Sequence, residues 1–380
     1  MQEDFHYYAT YCAAIIAGYS HEESEIIAYS AQLVDLCSST FLTKIHGPQK
    51  AATTQLSLEL MDARTDILGL QDITRIWASF HFLPKDLYAK KPKRTKRYMN
   101  KYRLICGPNG DLLVKTIELA KNKTLQHIGI AMHILADTWA HMNFAGTPSL
   151  VINNTDSEFY EILERPGERL IRKIRFRHST SAPDDIENGI YSNSIYQGSE
   201  YSIMNLGHGR AGHFPDYSFA KYKYLPAWGE YHEIVKDNPH DYVCAFTQMV
   251  YALRFLRGEY DHFEKDTYDA SVMEKYGDII NGIIRKRQLI ASEDWRDFGE
   301  VLSGKKLRDF DIDVHQDEYI LCPNKLKSDT FLGKFIDGAI EQKSMVTAEI
   351  FNSGNKLAGF SKVVPSAVYE FRYLSLMNKE

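Results

Sequence analysis

The sequence predicts a mainly α protein: a multi-helix bundle with a long loop-rich insertion and a small C-terminal extension. Three observations carry this. Apolar residues recur at helical spacing through most of the chain, helix caps and stops punctuate it, and no repeat of fixed period intervenes. Hydrophobic residues make up 44% and charged residues 25% of the 380 positions, which suffices for a sizeable core. The helical metal-binding region is expected over residues 1–290. Residues 291–380 are expected as an extension, either separate or packed on the same core.

Residues 5–17 form an apolar, Tyr-rich stretch stopped by Gly18. Ser20 followed by Glu23 reads as a capping box opening a helix that runs to about Cys37. A helix over 63–80 gives way at Phe82-Leu83-Pro84, because the residue before a proline avoids the α region. Residues 111–121 read as a further helix. The strongest one spans 124–144, with Thr124 as its cap and Gly146 just past its end. Helices are also expected over 157–175, broken by Pro166-Gly167, and over 240–257, 271–288 and 330–351. Between 176 and 239 Ser, Asn, Gly and Tyr accumulate and periodicity fades. Short strands are expected near 318–322 and 361–372.

A formal net charge of −5 argues against a general nucleic-acid surface. The only strongly basic run is 90–97, which reads first as a solvated loop and second as a contact for an anionic partner. Cys12, Cys37, Cys106, Cys244 and Cys322 are odd in number and scattered, so free thiols are expected rather than a thiolate zinc site. The acidic start and the lack of a long apolar run predict a cytoplasmic protein with no signal peptide and no membrane span.

The chemistry concentrates in His133, Asp137 and His141. Residues four apart drift only ~40° around a helix, so these three share one face. A lone buried histidine is ordinarily a hydrogen-bonded core residue. Three polar groups on one face of an otherwise apolar helix need partners, and imidazole, carboxylate and imidazole form a ligand set that suits zinc. Asp35 lies near a helix C-terminus, where a carboxylate gains nothing from the dipole; alone it reads as a surface residue. His81 sits among aromatics and alone reads as a core histidine. His6 follows Asp4 by two residues, at what would otherwise be a frayed terminus. His208, Arg210, His213 and Asp216 crowd a ten-residue stretch in which glycines let the backbone approach an ion. The planar fork of Arg210 suits an anionic substrate group.

The ordered series His6, Asp35, His81, His133-x3-Asp137-x3-His141 and His208 to Asp216 resembles the zinc-dependent phospholipase C and single-strand nuclease superfamily. The segment HILADTWAH also looks like the H-T-L-Q-D-x-x-S-H segment of heterokaryon-incompatibility-type relatives. DFHYYATYCAAIIAGYS, AYSAQLVD, FHFLP and LGHGRAGHFPD resemble an uncharacterised bacterial family in the same broad group. The resemblance covers about residues 1–290. It implies a helical bundle holding two or three Zn2+ ions. Asp35, His81, His133 and Asp137 would match a paired-metal site, and His6, His141 and one of His208, His213 and Asp216 would match further metal. In the superfamily, mature chains begin with a tryptophan whose amine and carbonyl bind metal, and the second histidine follows the aspartate at longer spacing. Met1-Gln2 and His141 depart from both, and the departures fall on the third metal position.

The implied activity is hydrolysis of a phosphodiester by a metal-activated water, on two metals about 3.5–4 Å apart. Asp35 would orient or deprotonate the water, and Arg210 or the third metal would neutralise the leaving oxygen. The net charge favours phospholipid over nucleic acid, and Tyr217, Phe219, Tyr222 and Tyr224 would line a pocket or stack on bases. The alternatives are a single-strand nuclease of the same superfamily and a non-catalytic helical scaffold stapled by structural zinc.

Overall fold

Apolar helix faces that must leave water organise this chain around one central helix. The computed structural model describes residues 1–155, 158–165, 167–177, 182–193 and 206–360. A π-helical turn, Asp4–Ala9, runs directly into α1 (Thr10–Ile16), which ends before Gly18 at a φ of +91°. The capping box then opens α2 (His21–Leu33): the Glu23 N–H donates to Ser20 Oγ at 3.2 Å and the Ser20 N–H to Glu23 Oε2 at 2.8 Å. Short helices α3 (Ser39–Lys44) and α4 (Ser57–Ala63) lead to α5 (Ile67–Phe80), whose first turn is capped by Asp66 on the Gly69 N–H at 2.7 Å. After the basic run come α6 (Lys96–Tyr102), α7 (Asp111–Ala120), α8 (Leu125–Ala140) and α9 (Leu150–Asn153).

The helix expected over 157–175 is instead a β-hairpin. Strands β1 (Tyr160–Arg165) and β2 (Glu168–Lys173) pair antiparallel, with Gly167 at a φ of +80° in the connection. The register sets Glu161 opposite Arg172 and Glu164 opposite Arg169, opposite charges that support a sheet as well as they would a helix face. The expected loop region also carries strands. β3 (Arg175–Arg177) pairs in parallel with β4 (Ile190–Ser192), while β5 (Lys221–Tyr224) and β6 (Ile234–Asp237) complete a sheet of order β2-β1-β5-β6. Four helices and the long α14 follow: α10 (Asn238–Leu256), α11 (Ala270–Arg285), α12 (Ser292–Ser303), α13 (Gln316–Leu321) and α14 (Phe331–Asn352). α13 replaces the strand expected near 318–322; its first turn holds Asp317 and Glu318, which favour a helix N-terminus. The strand expected over 361–372 lies outside the described residues.

α8 is the axis of the fold. Every residue from 126 to 140 is buried, between α2, α7, α10 and α14. Two expectations about its ends need correction. The Thr124 hydroxyl contacts the His127 ring at 2.8 Å instead of a helix N–H, and the helix stops at Ala140, with His141 as its C-cap. Gly146 serves close approach rather than capping, since a Cβ there would lie 2.6 Å from the Ala78 nitrogen. α2 crosses α8 equally closely: a Cβ on Gly129 would meet the Ile27 carbonyl oxygen at 2.3 Å.

Buried apolar residues from Met1 to Ala358 form one connected cluster. Within it Trp295 of α12 stacks on Phe246 at 5.2 Å, and α14 packs against α5 and α8. A second, aromatic cluster lies under the sheet. It takes in Tyr217, Phe219, Tyr222 and Tyr224, all at most 7% exposed, so these rings pack together instead of offering faces to a substrate. The five cysteines are free. Among the described residues no helix is long and apolar enough to cross a membrane.

Candidate metal centre

Five segments converge on α8. The π-helical turn brings His6, the turn after α2 brings Asp35, the end of α5 brings His81, α8 brings His133, Asp137 and its C-cap His141, and two 3-10 turns between β4 and β5 bring His208 and Asp216. Their donor atoms form three groups, each within 4.8 Å: His6, His133 and Asp137; Asp35, His81 and His133; His141, His208 and Asp216. His6 therefore groups with His133 and Asp137, whereas the resemblance implied that it would join His141.

Backbone carbonyls set the orientation of four of the imidazoles. His133 Nδ1 lies 2.9 Å from the Ala31 carbonyl, His81 Nε2 3.1 Å from that of Thr53, His141 Nδ1 2.7 Å from that of His81, and His208 Nδ1 2.7 Å from that of Gly212. A carbonyl only accepts, so each of these nitrogens carries the hydrogen, and in a neutral ring the other nitrogen presents a lone pair. Those lone pairs point inward. His133 Nε2 is 3.3 Å from His81 Nδ1 and 3.1 Å from Asp137 Oδ2. His81 Nδ1 is 3.2 Å from the same oxygen and 3.7 Å from Asp35 Oδ1. His141 Nε2 and His208 Nε2 face Asp216 at 3.1 and 3.5 Å. His6 stacks on His133 with ring centres 3.8 Å apart, and neither of its buried nitrogens makes a hydrogen bond, although Nε2 is 3.2 Å from Asp137 Oδ1.

The amino group of Met1, which the sequence set apart as a departure from an N-terminal tryptophan, lies inside the centre. It is 2.5 Å from Asp137 Oδ1, 3.4 Å from Asp216 Oδ1 and 3.3 Å from His141 Nε2. Burial opposes its charge, but Asp137, Asp216 and Asp35 outweigh that and raise its pKa to about 10. Burial alone would raise both the Asp137 and Asp216 carboxyls. The charges of His141, the Met1 ammonium, His133 and His6 hold Asp137 well below the usual carboxylate range, and His208 with the Met1 ammonium does the same for Asp216. Burial pushes His133 and His208 down to about 4, more than their carboxylate neighbours offset. Three carboxylates thus meet one ammonium, with His133 and His208 neutral near pH 7.

Two predicted site residues stand apart from these groups. His213 is 61% exposed in its side chain and reaches only Asp216, at 3.6 Å. Arg210 lies between His208 and Asp216 in sequence and donates to Asn154 Oδ1, with its Nε buried and unpartnered. A cleft of about 250 Å³ shares no residue with the centre; it is lined by Arg172 and Arg287, which also pair with the buried Glu161. The sequence reading missed the carbonyls of Ala31, Thr53 and Gly212, which no side-chain pattern encodes. No curated protein and no solved structure matches the chain. The profile of DUF6765, a family of unknown function, matches residues 1–350, and the chain belongs to that family.

Proposed function

We propose that this protein is a metal-dependent phosphodiester hydrolase that holds two or three zinc ions on His6, Asp35, His81, His133, Asp137, His141, His208 and Asp216. One observation carries the reading. His133 Nε2 and His81 Nδ1, both left without hydrogen by their carbonyl partners, face each other at 3.3 Å and face the same Asp137 oxygen. In their neutral tautomers, two lone pairs and a carboxylate at that separation repel unless a proton or a metal cation lies among them. The unpartnered nitrogens of His6 argue in the same direction. An all-imidazole and carboxylate donor set with no thiolate suits zinc, and each oriented ring has the carbonyl partner typical of a ligand histidine.

Bound divalent ions supply Lewis acidity toward a phosphoryl oxygen and a water of lowered pKa. The chain's own groups do the rest. Asp35, at 28% exposure, is the most open of the three carboxylates and is placed to accept a proton from the attacking water. Asp137, almost fully buried, holds the centre together by reaching both helical groups, with Oδ1 toward His6 and Oδ2 toward His133 and His81. Arg210, held by Asn154 outside the three groups, is left without a role in this reading.

Phospholipid is the favoured substrate over nucleic acid. Glu3, whose carboxyl is raised by burial and then by Asp4 and Asp309, adds negative charge near Asp35 and disfavours a polyanion. Tyr217, Phe219, Tyr222 and Tyr224 are buried and favour neither substrate. In the basic run, Arg94 is paired with Glu230 at 2.7 Å and Lys91 with the same residue at 3.4 Å. Elemental analysis of gently purified protein, with parallel assays on phosphatidylcholine and single-stranded DNA, tests the reading. Near-stoichiometric zinc and zinc-dependent phosphatidylcholine cleavage are expected. Protein without bound metal would sink the proposal, and metal without hydrolysis would leave the structural-zinc scaffold.

A further inference from the structure

α14 carries a lysine where a lysine is costly. Lys343 is 7% exposed, faces the interior, and its ammonium donates to a single protein acceptor, the Ala52 carbonyl, at 2.7 Å. Among the described residues it makes no ion pair. Burial lowers its pKa to about 8, against a small opposing effect of Asp72. Replacing such a group by an apolar side chain is ordinarily neutral or favourable for stability, so packing gives no reason for a lysine here.

What the ammonium holds is informative. The residue after Ala52 is Thr53, whose carbonyl accepts the hydrogen of His81 Nε2 and so turns Nδ1 toward Asp137 and Asp35. Thr53 also donates through Oγ1 to the Val34 carbonyl at 2.6 Å, and Val34 immediately precedes Asp35. The neighbouring Gln342 donates to the Ser79 carbonyl at 3.2 Å, two residues before His81 and in the last turn of α5, where carbonyls lack helical partners. Adjacent residues of α14 thus grip both segments that aim His81: the end of its own helix and the connecting segment at 52–53 that receives its second ring nitrogen.

We propose that Lys343 is a positioning residue of the Asp35–His81–His133 group, holding the Ala52–Thr53 backbone where Thr53 fixes the His81 ring. The assignment rests on the metal-centre reading above. Second-sphere partners of this kind change metal affinity by about 10- to 100-fold.

The test uses full-length protein and Lys343→Met, with Zn2+ affinity measured by chelator competition and the visible spectrum of the Co2+-loaded protein recorded. The expected result is a 10- to 100-fold weaker step for one ion, a changed Co2+ spectrum and an unfolding temperature of the metal-free protein equal to or above wild type. A purely structural lysine would instead lower the unfolding temperature and leave affinity unchanged. In a His81→Ala background Lys343→Met is expected to cost nothing further, since its route to the metal is gone. Unchanged affinity in K343M, or the same loss with His81 absent, would overturn the assignment while leaving the centre in place. A wild-type chain that takes up no metal would overturn both. Should K343M fail to accumulate, Lys343→Gln, which keeps a donor at shorter reach, is read against His81→Ala in the same way.

Discussion

His133 and Asp137 stand four residues apart on α8, and helix geometry alone brings them to one face. His208 and Asp216 stand eight apart across two 3-10 turns, yet they too meet at 3.5 Å. In the helical half, the candidate ligands are held by long elements packed on every side, and Asp137 and His133 are at most 1% exposed. In the loop half, position comes from local devices: Gly212 at a φ of +58°, its carbonyl on His208 Nδ1, and Phe82 stacked on His141 at 4.7 Å. The difference teaches that one centre can combine a rigid pair of groups with a third whose geometry depends on a few turns. Met1 and His141 lie at the junction.

The comparison yields predictions of decreasing size. Asp137→Asn should have the largest effect, because this carboxylate serves both helical groups and the Met1 ammonium. We expect loss of the helical-half ions by elemental analysis and about 3–5 kcal/mol of stability by denaturant unfolding, the usual cost of removing one partner of a buried charge cluster. Retention of full zinc content would break the distinction between the halves. His208→Ala should remove one ion and leave the others, since His208 belongs only to the loop group; loss of all metal would show that the halves load as one unit.

The two halves should respond alike to acid in metal-free protein. His133 and His208 titrate near 6.5 when unfolded and near 4 when folded. Between those values the unfolded chain binds more protons, so stability is full above about pH 6.5 and falls as pH drops toward 4. The loss is of order 2–3 kcal/mol per histidine, read from unfolding curves across that window, and zinc should suppress it at the upper end. A flat profile would mean that these rings are not held neutral. The smallest effect is expected for His213→Ala. Its exposed ring touches only Asp216, so metal content should stay at the wild-type value, and a lost ion would move His213 into the loop group.

How much was legible follows the same division. The 3.6-residue period placed His133, Asp137 and His141 on one face, and the Ser20–Glu23 box and the Pro84 stop located the helices that deliver Asp35 and His81. The hairpin at 160–173 was misread because Glu and Arg alternate there at spacings that satisfy helix and sheet alike. The apolar and β-branched residues gathered near 318–322 suggest a strand, but they lie in α13. The carbonyls of Ala31, Thr53 and Gly212 have no sequence signature at all, since every residue has a carbonyl. Met1 reads as a departure because the resemblance looks for a tryptophan, whereas the atom that reaches Asp137 is the amine, whatever the side chain. Side-chain chemistry was readable, and the framework that orients it was not.

Gly129 contributes no donor atom, yet it sets the gauge of the centre. With a hydrogen in place of a Cβ, α8 can lie against the Ile27 carbonyl and Ser30, so that His133, one turn further along, reaches the Ala31 carbonyl. The gap between α2 and α8 is therefore a ruler whose smallest division is one methyl group, and Asp35 is read off one edge and His133 off the other. A lineage could retune the spacing of this centre without touching any of its ligands.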